Sequence, residues 1–198
     1  MAGRIQSAVT ARIERLRERY AAFEDRLTGQ QQSLLDAVVF LTKFTLLAAP
    51  FWLVLHGGWQ AEGVRTATAH GAAVVLQVLG IDASATGHLL STGTLIVDVT
   101  RDSTGWKSVM VFIALVAASD RPLRSRVAAA VAGTATLLAV NLLRIVSMVY
   151  AVVVFGVEYE LLHTVLWRWG LTAAVILLWT GWLWRSGVSQ RLSVPPIR

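Results

Sequence analysis

Long apolar runs decide what this chain can fold into. Residues 34–56, 127–157 and 163–184 are each long enough to cross ~30 Å of hydrocarbon as helix. A fourth run, 104–119, is short but sufficient if its polar start sits at the interface. The expected fold class is therefore an all-α integral membrane protein with about four transmembrane helices. The mean hydropathy of +0.58, with 55% of residues apolar, agrees, since a soluble domain of this size rarely needs so much apolar surface.

Cysteine is absent, so disulfides, thiolate metal sites and a cysteine nucleophile are excluded for the sequence as it stands. The net charge of +6 comes almost entirely from arginine. These arginines flank the apolar runs, which points to membrane topology and away from nucleic acid. The first 33 residues are too charged to be a signal peptide. Within them, Ile5, Val9, Ile13, Leu16, Tyr20, Phe23 and Leu27 recur at helical spacing opposite Arg12, Glu14, Arg15, Arg19 and Asp25. An amphipathic helix over 4–30 follows, lying on the membrane surface or pairing with another helix. Lys43 inside the first run is a functional cation, a groove-facing residue or a partner of Asp36.

Residues 64–81 read as a mixed, short helix, and Thr92-Gly93 separates two extended stretches, giving a β-hairpin from about 86 to 99. An open hairpin cannot face lipid. The arginine-rich N-terminal segment, the loop at 120–126 and the tail with Arg185, Arg191 and Arg198 are assigned to the cytoplasm. Both termini are then cytoplasmic and 57–103 is extracytoplasmic, so 64–81 is interfacial or re-entrant. Trp52, Trp59, Trp106, Trp167 and Trp169 mark the outer face, and Trp179, Trp182 and Trp184 the inner one. The organisation is a cytoplasmic helix over 1–33, a membrane domain over 34–185 and a tail over 186–198.

Helical rise places three polar residues at one depth. Ser103 lies seventeen residues before Asp120, roughly 26 Å up, and Arg144 lies eighteen after Arg126, roughly 27 Å up. His163 opens the last run, about 33 Å above Arg185 before tilt. Asn141 is one turn below Arg144. Each has an ordinary alternative: Ser103 as a helix cap, Arg144 snorkelling to headgroups, His163 as an interfacial residue. Together they suit acyl transfer. The residue at 103 is the nucleophile at a helix start, Arg144 stabilises an oxyanion, and His163 moves the proton.

The stretch DSTGWKSVMVFIAL resembles the exosortase/archaeosortase signature, in which a catalytic cysteine opens a membrane helix in a CSG- or CTG-type turn. NLLRIVSMVY resembles the family's N-x-x-R helix, His163 occupies the place of its histidine, and GHLLSTGTLIVDVT resembles its extended lead-in. The resemblance covers roughly 64–180 and implies a compact, archaeosortase-like membrane transpeptidase of cysteine type. Its implied partner is a protein whose C-terminal signal combines a motif, a transmembrane helix and a basic cluster, cleaved outside the cytoplasm and passed to a lipid-linked acceptor. No cofactor, metal or nucleic acid is expected.

Thr104, Gly105, Trp106, Lys107 and Asn141 are expected to hold substrate, with Asp102, Tyr150, Glu158 and Glu160 shaping the site. Ser103 departs from the family, which has cysteine there. It is either a Cys→Ser replacement that leaves the enzyme inactive, which is the preferred explanation, or a natural serine variant. Rival readings are a rhomboid-like serine protease using Ser103 and His163, and a non-catalytic assembly protein whose Lys43 and Arg144 grip lipid headgroups. The first lacks the G-x-S-G context and gives Arg144 no role.

Overall fold

The computed structural model describes residues 12, 14, 15, 28–158 and 169–192. Of the amphipathic stretch expected over 4–30, Arg12, Glu14 and Arg15 are helical and exposed, and nearly all the rest lies outside the described residues. So do His163, Glu160 and Trp167.

The chain divides at Lys43 into two units, Met1–Lys43 and Phe44–Arg198, within the first long helix. That helix, α1, spans Gly29–His56 and starts earlier than the expected 34. Thr28 sets its start: its backbone N–H and its hydroxyl both reach Gln31 Oε1, at 3.0 and 3.2 Å. In the first unit Leu34, Val38 and Leu41 of α1 are exposed. In the second, so are Leu46, Trp52 and Leu53. A helix this apolar and this exposed is matched to lipid.

The second unit is organised by α4, Leu123–Phe155. Its 33 residues extend about 50 Å, well beyond the ~30 Å of hydrocarbon. Its N-terminal half packs with α3 (Trp106–Ala118) and α5 (Gly170–Leu192) around Val109, Phe112, Val116, Leu137 and Val175. Gly133 makes the α3–α4 approach feasible, because a Cβ there would overlap the Phe112 ring. Among the described residues two helices, Gly29–Val54 and Leu123–Phe155, are long and apolar enough to cross a membrane. At 13 residues, α3 reaches about 20 Å, short of a full crossing by itself.

The arginine loop between α3 and α4 is tied to helix ends. Arg126 Nη1 donates to the Ala117 carbonyl at 3.0 Å, near the C-terminus of α3 where a cation is favoured. Trp179 Nε1 and Trp182 Nε1 donate to the hydroxyls of Ser119 and Ser125, both at 3.1 Å. The middle of α5, at Trp179 and Trp182, therefore meets the α3–α4 connection at the end of α3 away from Ser103.

The C-terminal half of α4 carries a second core with α2 (Glu62–Val78) and a small sheet. Ala69, Ala72, Ala73 and Leu76 of α2 recur on one face and are buried against Ala83, Leu90, Val99, Ile145, Val146 and Val149. The hairpin expected over 86–99 is part of a three-stranded antiparallel meander: β1 (Ala83–Thr86), β2 (Leu89–Thr92) and β3 (Ile96–Asp98). β2 and β3 reverse at Thr92–Leu95, where Thr92 N–H donates to the Leu95 carbonyl at 2.8 Å. β1 escapes a search for alternating hydrophobics because its sequence, ASAT, has no large apolar side chain. Gln77 Nε2 holds the start of β1 through the Ala83 carbonyl at 2.7 Å.

Candidate active site

β3 feeds directly into the site. After Val99, Thr100 stays extended and the chain closes into a 3₁₀ turn, Arg101–Thr104. Ser103 N–H donates to the Thr100 carbonyl at 3.0 Å, and Thr104 Oγ1 donates to the Arg101 carbonyl at 2.8 Å. The hydroxyls of Thr100 and Ser103 share a hydrogen bond of 2.9 Å. Gly105 then takes a left-handed conformation, φ +77°, and α3 starts at Trp106. A Cβ on Gly105 would lie 2.9 Å from Asn141 Cγ, so this glycine is required by its backbone and by its neighbour.

That neighbour fastens the turn to α4. Asn141 is 1% exposed and donates Nδ2–H to the Ser103 carbonyl at 2.8 Å. Its Oδ1 lies 3.5 Å from Arg144 Nη1, one turn further along the same helix. Ser103 and Arg144 line a single crevice with Val97, Asp98, Val99, Ile145, Met148 and Val149. Its volume is about 20 Å³, room for about one water. Both side chains are half-buried. Of the three residues expected at one depth, the structure brings Ser103 and Arg144 together, and His163 lies outside the described residues.

The residues expected to hold substrate take different places. Thr104 and Asn141 are buried, and their polar atoms are engaged within the turn and its bracket. Trp106 is buried edge-to-face against Trp59, with ring centroids 5.5 Å apart, and the Arg101 guanidinium lies 5.8 Å from its centroid. Lys107 is exposed and pairs with Asp102 at 2.9 Å. Of the shaping residues, Tyr150 packs beside the sheet core, Glu158 is exposed, and Glu160 lies outside the described residues.

One charged cluster beside the crevice is not evident from the sequence. Arg65, on α2, is almost enclosed. It donates Nε–H to the Val99 carbonyl at 2.9 Å and pairs with Glu62 at 2.7 Å and Asp98 at 3.1 Å. His88 stands between the same two carboxylates, 3.5 Å from Glu62 and 3.8 Å from Asp98. Thr100 belongs with these missed residues. Its only sequence signal is its position three residues before Ser103, one 3₁₀ turn.

A polar turn opening an apolar helix is thus bracketed by an asparagine and an arginine from within a longer apolar helix. The family comparison agrees: the chain belongs to the transmembrane exosortase family (Exosortase_EpsH), matched over residues 27–181. Members of that family are generally membrane transpeptidases of cysteine type. Comparison with curated proteins and with solved structures gave no match.

Proposed function

We propose that this chain has the architecture of a sortase-like membrane transpeptidase that cleaves C-terminal sorting signals at the extracytoplasmic face. The supporting observation is that Ser103, on the turn before α3, and Arg144, on α4, line one crevice and are joined through Asn141. In this reading the nucleophile at position 103 attacks the scissile carbonyl and His163 accepts its proton. Arg144 faces the oxyanion. The C–N bond then breaks and His163 returns the proton to the leaving amine. An acceptor hydroxyl or amine next attacks the acyl carbonyl, the bond to residue 103 breaks, and the acceptor's proton passes through His163 back to residue 103. Gly105 lets the turn approach α4, Thr104 and Asn141 hold it in shape, and Trp106 and Lys107 border the substrate's path. Four membrane crossings with both termini inside complete the arrangement. The meeting of the arginine loop with α5 at Trp179 and Leu183, away from Ser103, supports that orientation.

A serine hydroxyl is a weak nucleophile near neutral pH, so the chain as written carries little activity in this reading. The test is Ser103→Cys in native membranes, assayed by labelling with iodoacetamide. It is also assayed by capture of a reporter bearing an extended motif, an apolar helix and a basic tail. Labelling accelerated by Arg144 and His163, together with capture, supports the reading. Labelling indifferent to Arg144→Ala and His163→Ala, with no capture, sinks it and favours an assembly role.

A further inference from the structure

We infer that the free edge of β3 is the docking strand for the substrate, and that the residues just N-terminal to the scissile bond pair with it in parallel. This rests on the sorting-transpeptidase reading above. The sheet order is β1-β2-β3, so β3 is an edge, and among the described residues no strand pairs with its outer side. The register sets which groups face outward. Leu90 pairs with Val97 and Leu89 with Asp98, and Val99 N–H donates inward to the His88 carbonyl at 3.0 Å. Alternation along an antiparallel strand then turns the main chain of Ile96 and Asp98 to the outer side. The Asp98 carbonyl is engaged locally by Thr100 N–H at 3.0 Å. That leaves the Ile96 N–H, the Ile96 carbonyl and the Asp98 N–H as the docking groups, the set used in strand addition.

Continuity with the crevice identifies the occupant. Val97, Asp98 and Val99 line the same crevice as Ser103 and Arg144, so a strand laid on β3 leads toward its mouth. The other edge is partly engaged, since Gln77 bonds the Ala83 carbonyl, and it does not adjoin the crevice lined by Ser103 and Arg144. Direction follows from the membrane. The sheet packs on α4 at Ile145, Val146 and Val149, beyond Arg144 and further from the arginine loop. An open sheet edge cannot lie in hydrocarbon, so only a non-membrane segment of the substrate can pair there. In a C-terminal signal that segment precedes the scissile bond and the membrane helix follows it. A substrate parallel to β3 passes Ile96, then Asp98, and presents its scissile bond to the turn at Ser103. Its membrane helix then descends in the direction of α3.

The experiment uses the full-length Ser103→Cys protein in membranes and the reporter described above, with its motif drawn from a randomised pentapeptide library. Ile96→Pro removes one outward N–H at a position where an edge strand tolerates proline, while Ile96→Ala keeps it and removes only an exposed side chain. Capture is expected to be about tenfold lower in the proline variant than in the alanine variant. A photo-crosslinker at Ile96 in otherwise unchanged protein reads the same contact without proline. It is expected to mark reporter residues N-terminal to the captured carbonyl. Capture with equal rates in both variants, or crosslinks confined to the reporter's apolar helix, overturns the docking strand and leaves the transpeptidase reading standing. Absence of capture in all variants overturns both.

Discussion

Asn141 donates its side-chain amide to the Ser103 carbonyl across 2.8 Å, and this bond fixes the distance between the turn and α4. The donor is buried, as is Thr104 in the turn, and the bond itself is part-buried. Removing it leaves a shielded carbonyl without this partner, at a cost of about 1–3 kcal/mol. Asn141→Ala and Asn141→Asp separate the asparagine's two bonds. The aspartate still accepts from Arg144 but opposes the Ser103 carbonyl with a second acceptor. In a Ser103→Cys background both variants are expected to lower iodoacetamide labelling about tenfold. Unchanged labelling in the aspartate variant would show that the tether to Ser103 has no part in orienting the nucleophile.

Gly105 and Gly156 provide an internal comparison. Both hold left-handed backbones, φ +77° and +64°. A Cβ at Gly156 meets nothing within 4 Å, while one at Gly105 strikes Asn141. Gly156→Ala is expected to cost about 1–2 kcal/mol, the backbone term alone. Gly105→Ala adds a clash at a buried site and is expected to be the more damaging of the two. Thermal unfolding of the two variants in the same detergent checks the order, and equal melting temperatures would contradict it.

That Ser103 and Arg144 lie level with each other was legible in the sequence because helical rise is constant, counted from Asp120 and Arg126, and they line one crevice. Their lateral meeting was not legible, since it depends on which face of α4 turns toward α3, and that is set by Gly133 against Phe112. The Thr-Gly pair after Ser103 was readable as a turn, but the demand on Gly105 comes from Asn141, thirty-six positions away. β1 left no pattern because small side chains suffice under α2. The Glu62–Arg65–Asp98–His88 cluster was hidden for a similar reason, its members being joined only once the sheet packs on α2.

Arg65 is the residue through which α2 grips the strand leading to the site. Its guanidinium serves a carbonyl and two carboxylates in different directions. A planar fork suits this arrangement and an ammonium does not. Arg65→Lys and Arg65→Ala are therefore expected to behave alike, each losing about 1–3 kcal/mol. The carboxylates are largely exposed, so most of this loss falls on the Val99 carbonyl bond and little on the ion pairs. Raising salt from low to molar concentration should then leave the deficit nearly unchanged. A deficit that vanishes at high salt would assign it to the ion pairs instead.

The α3–α4 contact decides whether the turn and Arg144 can meet at all, and Gly133 and Phe112 test it. Gly133→Ala places a methyl group into the Phe112 ring, an overpacking that typically costs about 1–3 kcal/mol. Phe112→Leu alone leaves a gap in the core formed with Val109, Val116, Leu137 and Val175, and should also destabilise. In the double variant the smaller side chain makes room for the methyl. Its loss is expected to be smaller than the sum of the two single losses, by about 0.5–3 kcal/mol of coupling. Additive losses in detergent unfolding would mean that the helices are not held at this distance. The same cycle read through labelling of Ser103→Cys links packing to chemistry. Gly133→Ala should slow labelling as the helices are forced apart, and Phe112→Leu in the same chain should recover part of the rate.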